Sequence, residues 1–131
     1  MPVESPTVLV VEDEGMVRNL VCGILHAHGY GVLKARQSLE ALRFSEEFPG
    51  TIHLVLTDIC MPPHLNGRIL AGRIRASRPG TPVVYMSGFV DDDRVAEEIL
   101  GGLAHFLPKP FSPEALLATV QQALAKAAAP V

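Results

Sequence analysis

The sequence predicts an α/β fold with five parallel strands in one sheet and helices on both faces, from three observations. Five short apolar runs recur along the chain, and each is followed by a segment whose apolar residues repeat at helical spacing. Runs such as Thr7–Val11 (TVLVV) are continuous rather than alternating, as in strands covered on both faces. Strand and helix alternate throughout, and right-handed crossovers then bring the strands into a single parallel sheet.

The elements follow in order. Residues 1 to 6 form a short polar arm, Thr7–Val11 is the first strand, and Glu12-Asp13-Glu14 come directly after it. Val17, Leu20, Val21, Ile24 and Leu25 mark a helix that Gly29 closes as its C′ residue. Gly31–Ala35 is a second, weaker strand. Ser38 is suited to cap a helix running to about Glu47, which Pro49-Gly50 end. Leu54–Thr57 is the central strand, with Asp58 at its end because Met61-Pro62-Pro63 cannot continue a ladder. From Gly67 a helix runs to about Ser77, with Leu70 and Ile74 inward and Pro79-Gly80 as the stop. Pro82–Met86 is the fourth strand, ending at Ser87-Gly88. Asp91 to Asp93 lead into a short helix carrying Val95, Ile99 and Leu100, which Gly101-Gly102 terminate. Ala104–Leu107 is the fifth strand, ending near Lys109-Pro110. Ser112 and Pro113 then open a final helix with Leu116, Leu117, Val120 and Leu124 as its inner stripe, and 127–131 should fray.

Composition narrows the function classes. The 131 residues fit one domain with a sizeable core, 1–131, ordered over about 7–125. Hydrophobic residues make up 48%, too many for a disordered chain, and a formal charge of −3 gives no electrostatic case for nucleic acid. The two cysteines have no metal or redox spacing. No apolar run reaches transmembrane length and MPVESP is not a signal peptide, so the expectation is a soluble, cytoplasmic protein with no membrane contact.

Parallel strands place their carboxyl ends on one edge, and ligands of open α/β sheets bind there. That edge should carry Glu12, Asp13, Asp58, Ser87 and Lys109. Each has a bland explanation: acids suit a helix N-terminus, a serine suits a turn, and a lysine suits solvent. Convergence from four strand ends favours function. Three neighbouring carboxylates repel, and a hard divalent cation relieves the repulsion. Mg2+ takes oxygen ligands and keeps several waters, which makes Asp13 and Asp58 the direct ligands, joined by a loop carbonyl, with Glu12 acting through water. Mn2+ is the alternative ion, and no soft ligands are placed for zinc. A metal, a carboxylate nucleophile, a lysine and a hydroxyl are the parts needed for phosphoryl transfer to an aspartate.

With VVEDE at 10–14, TDICMP at 57–62, MSG at 86–88 and LPKPF at 107–111, the chain resembles a receiver domain of two-component response regulators. The wording YMSGF and FLPKPF is most like receivers attached to hybrid histidine kinases. The resemblance implies a flavodoxin-like sheet of order 2-1-3-4-5 and Mg2+-dependent phosphorylation by a histidine kinase or histidine phosphotransfer protein. It makes Asp58 the phosphoacceptor, Glu12 and Asp13 the acidic pair, and Cys60 the donor of a metal-binding main-chain carbonyl. Ser87 becomes the switch hydroxyl, Lys109 the phosphate-binding lysine and Phe106 the aromatic switch, with a cis bond between Lys109 and Pro110. It implies a regulator rather than an enzyme, one that assists its own phosphorylation and slow autodephosphorylation. A downstream effector would bind the face made by the helix near 93–100, the fifth strand and the final helix, a face also open to homodimer formation. One departure stands out: Gly67 follows Asp58 by nine residues where the family has eight, so the loop at 63–66 is one residue longer.

Other signals carry less. His26 and His28 face different ways on a helix, His53, His64 and His105 are scattered, and Cys22 reads as core filling. Two rival readings exist. A haloacid-dehalogenase-type phosphatase needs a second Asp two residues after the nucleophile, where this chain has Cys60. A phosphorylation-independent interaction module would lack the acceptor or the lysine, and both are present.

Overall fold

The computed structural model describes residues 5–58, 67–87 and 104–128. Five parallel strands, β1 (Thr7–Val11), β2 (Gly31–Ala35), β3 (Leu54–Asp58), β4 (Val83–Ser87) and β5 (Ala104–Pro108), form one sheet of order β2-β1-β3-β4-β5. The helices among the described residues are α1 (Gly15–Ala27), α2 (Ser38–Glu47), α3 (Gly67–Ser77) and α4 (Pro113–Ala128). The helix expected near 93–100, the loop 59–66 with Cys60, and the side chain of Ser87 lie outside the described residues.

Alternation along each strand divides the core between the two faces. Leu9, Val11, Val55, Val83 and Tyr85 pack with Ala41 of α2 and with Leu70, Ala71 and Ile74 of α3. Val8, Val10, Leu54, Leu56, Val84, Met86 and Leu107 pack with Val21 and Leu25 of α1 and with Leu116, Val120 and Ala123 of α4. Because both faces are covered, Val8 to Val11 have no exposed surface at all. Each such side chain contributes about 1.5–3 kcal/mol. Burial on both faces anchors the central strands and so places the sheet edge that follows them.

Helix ends set the loops. Gly29 lies in the left-handed region (φ 88°), with its N–H donating to the carbonyl of His26 and that of Tyr30 to the carbonyl of Leu25, each at 3.1 Å. These two bonds satisfy the Leu25 and His26 carbonyls near the end of α1, and a side chain at Gly29 would strain the turn. Ser112 caps α4 as expected, its Oγ accepting from Ala115 N–H at 3.1 Å. Ser38, by contrast, opens α2 rather than capping it. Gln37 is the N-cap without a side-chain bond, and Glu40 reaches back to accept from Arg36 N–H at 2.8 Å. The Lys109-Pro110 bond is cis.

Candidate functional site

The site begins where β1 stops. Glu12 N–H still donates to the Ala35 carbonyl at 3.1 Å, so the residue remains tied to the end of β2. Its side chain turns inward and is 1% exposed, with Oε2 accepting from Glu14 N–H at 3.1 Å. Asp13, one residue on, is exposed. Asp58 closes β3 and is 5% exposed. The buried hydroxyl of Thr57 donates to the Asp58 carbonyl at 3.0 Å and steadies that strand end.

Lys109 arrives from the end of β5. Its Nζ lies 2.6 Å from Asp58 Oδ1 and 3.1 Å from Glu12 Oε1, so one ammonium bridges two buried carboxylates. Glu12, Asp13 and Asp58 each offer an oxygen within 4.8 Å of the others. Burial pushes the Glu12 carboxyl above its usual range, and the neighbouring Asp58 adds to the rise. Asp13 is also raised, first by its hydrogen bond with Glu12 and then by burial. For Lys109, burial alone would lower the pKa. The hydrogen bond and charge of Asp58, followed by those of Glu12, outweigh burial and raise it.

These groups suit a hard divalent cation. Oxygens sharing one Mg2+ at about 2.1 Å lie about 3–4 Å apart, and the three carboxylate oxygens here lie within 4.8 Å of one another. All three donors are carboxylates that one lysine only partly neutralises, and no thiolate or imidazole joins the group among the described residues.

Four of the expected site residues, Glu12, Asp13, Asp58 and Lys109, therefore meet at one edge. Ser87 ends β4 beside them, its backbone in register with Pro108, while its side chain and Cys60 lie outside the described residues. Phe106 sits one strand over, half-buried, stacked on Tyr85 with ring centroids 5.8 Å apart and planes inclined by 22°. His53 lies at the opposite end of the sheet, where its Nδ1 accepts from Thr7 N–H at 2.9 Å, a structural use. Arg18, which sequence reasoning passed over, donates from Nη1 to the Glu12 carbonyl at 2.8 Å. An arginine four residues after an acidic run was the available signal.

A parallel α/β sheet with acids and a lysine gathered at the carboxyl ends of its strands defines the class of protein. Comparison with known proteins makes the assignment particular: residues 8–121 match the family model of the response regulator receiver domain, and the chain belongs to that family. It is 36% identical over 122 residues to "Sensor kinase CckA" of Brucella abortus (strain 2308), covering 93% of this chain and 13% of that protein. It is 31% identical over 126 residues to "Aerobic respiration control protein ArcA" of Escherichia coli (strain K12), covering 94% of this chain and half of that protein. A crystal structure of the receiver domain from the hybrid histidine kinase CckA superposes with a TM-score of 0.76 at 36% identity, covering 90% of this chain and 98% of the other. The chain thus spans half or less of these two full-length relatives. Receiver domains are signalling regulators of two-component systems rather than enzymes in the ordinary sense. No helix among the described residues is long and apolar enough to cross a membrane.

Proposed function

We propose that this chain is a single phosphoacceptor domain in which Asp58 takes a phosphoryl group from a phosphohistidine of a histidine kinase or histidine phosphotransfer protein. The observation that carries the reading is the Lys109 ammonium, 2.6 Å from Asp58 and 3.1 Å from Glu12 beside the exposed Asp13. An Asp58 oxygen attacks phosphorus, the histidine N–P bond breaks, and the electron pair returns to the imidazole, which takes up a proton. Lys109 pairs with the transferring oxygens and must loosen its hold on Asp58 as the new bond forms. Glu12, Asp13, Asp58 and the Cys60 main-chain carbonyl would hold Mg2+, or Mn2+ in its place, which supplies positive charge to the phosphoryl oxygens. Water attack on the same phosphorus gives the slow autodephosphorylation.

Ser87 and Phe106 carry the change outward in this reading. The Ser87 hydroxyl donates to the new phosphate, and Phe106 fills the space vacated as the following loop closes in. The affected face, β5, α4 and the segment near 93–100, then meets an effector or a second copy of the chain. Kinase and regulator relatives support partners of this kind. The test is incubation with acetyl phosphate and Mg2+, read by intact mass. Wild type should gain one phosphoryl group and Asp58→Asn none. Equal gain in the variant would remove Asp58 as the acceptor. No gain in wild type would favour an interaction module that does not use phosphate.

A further inference from the structure

The acidic loop is held from behind by a side chain that pairs with none of its carboxylates. Arg18 stands one turn into α1. Its Nη1 donates to the carbonyl oxygen of Glu12 at 2.8 Å and reaches that of Asp13 at 3.5 Å. Its own N–H donates to the Glu14 carbonyl at 2.9 Å. One residue thus engages all three carbonyls of Glu12-Asp13-Glu14. At the start of α1 itself, Glu14 at the N-cap makes no side-chain cap bond and the first turn has no acidic residue. Among the described residues, the ion pairs to the acidic group come from Lys109, not from Arg18.

The division of labour has a physical logic. Lys109 acts on charge, whereas Arg18 acts on peptide planes. Glu12 N–H is fixed to Ala35 and Glu14 N–H to Glu12 Oε2, so the Arg18 bonds fasten the opposite side of the same short loop. Asp13 is exposed, and the main chain sets the direction in which its carboxylate leaves the loop. A guanidinium suits this task, being planar, weakly hydrated and able to meet two carbonyls from one edge.

We propose that Arg18 is a positioning residue for the divalent cation: it pins the carbonyls of Glu12 and Asp13 and so holds the Asp13 carboxylate toward the ion without neutralising it. This rests on the reading of Glu12, Asp13 and Asp58 as a divalent-cation site. Loss of the Arg18 donors lets the loop sample other peptide orientations, and the ion must then select the competent one at a cost in affinity.

The experiment is an Mg2+ titration of the whole chain followed by the backbone amide resonances of Asp13 and Glu14. Arg18→Met keeps the aliphatic stem and deletes the donors, Arg18→Lys restores one donor, and Arg36→Met is a surface control. Arg18→Met should bind Mg2+ about tenfold more weakly, the effect of losing one well-formed hydrogen bond. Arg18→Lys should lie between Arg18→Met and wild type, and Arg36→Met should match wild type. Melting in EDTA separates positioning from mere support. A lowered melting temperature in Arg18→Met with wild-type Mg2+ affinity would overturn the proposal, as would Arg18→Lys binding no better than Arg18→Met. Should Arg18→Met not fold, Arg18→Gln, whose shorter amide cannot reach the loop, takes its place with the same outcomes. The cation site is judged separately by wild type and Asp13→Ala. A wild type without Mg2+-dependent shifts, or Asp13→Ala titrating like wild type, removes the site itself. Wild-type binding with unaltered Arg18→Met removes only the positioning role.

Discussion

Glu12 is nearly devoid of solvent contact yet must share one ammonium with Asp58, and this tension governs the residue scale. Both Glu12 and Asp13 have folded-state pKa values raised above their ordinary ones. In the window from about 4.5 upward, the folded protein therefore holds more protons than the unfolded chain. Stability from these two groups is fully present below their unfolded values and is lost as pH rises through the folded ones. In EDTA, Glu12→Gln should flatten that decline, read as the urea midpoint from pH 4.5 to 7.5. A decline as steep as that of wild type would contradict the assignment. His105 has the opposite sign, because burial first, with Lys126 adding, lowers its pKa. Its contribution is present above about 6.5 and is lost as pH falls toward the folded value, so the two effects separate by mutation. Asp13→Ala removes an exposed like charge. Without metal it should stabilise the protein by roughly 0.5–1 kcal/mol, while weakening the stabilisation that Mg2+ gives to wild type. Calorimetric melting with EDTA and with Mg2+ checks both directions, and Mg2+ raising the melting temperature of Asp13→Ala as much as that of wild type would contradict the site.

At the scale of elements, helix ends and strand ends do the positioning. Ser112→Ala should cost about 1 kcal/mol, because Ala115 N–H loses its acceptor at the start of α4. Urea unfolding measures it, and a neutral result would mean that Pro113 alone fixes that end. Strand positions were legible in the sequence because strands buried on both faces show as unbroken apolar runs. Their ends were less so: β3, β4 and β5 each extend one residue further, since Asp58 pairs with Met86 and Ser87 with Pro108 in the ladder. The Ser38 cap was misjudged because Glu40 supplies the reach-back bond, and a capping serine and a first-turn serine look alike in a string of letters. Glu12, Asp13, Asp58 and Lys109 were legible through their places at strand ends. Arg18 was not, because it binds main-chain carbonyls whose directions a sequence does not display.

For the molecule as a whole, the proposed function requires a link from the sheet edge to a distant face. Phe106 stacks on Tyr85 within the α2–α3 side of the core, while its neighbour Leu107 packs on the α1–α4 side, so β5 touches both halves. On the proposed reading, phosphate on Asp58 would add charge and acceptor oxygens, and it would bias an equilibrium between two packings rather than create a new one. Ser87→Ala should still accept phosphate, yet the amide resonances of Phe106 and Leu116 should no longer shift on phosphorylation. Wild-type shifts in that variant would remove Ser87 as the relay. The account stands most directly on where the phosphoryl group goes and what its transfer requires. Treating the wild-type chain with acetyl phosphate in Mg2+ and in EDTA, then locating the group by fragment mass, decides it. One phosphoryl group on the fragment carrying Asp58, in Mg2+ only, is the predicted result; a group on another fragment, or equal labelling in EDTA, would contradict it.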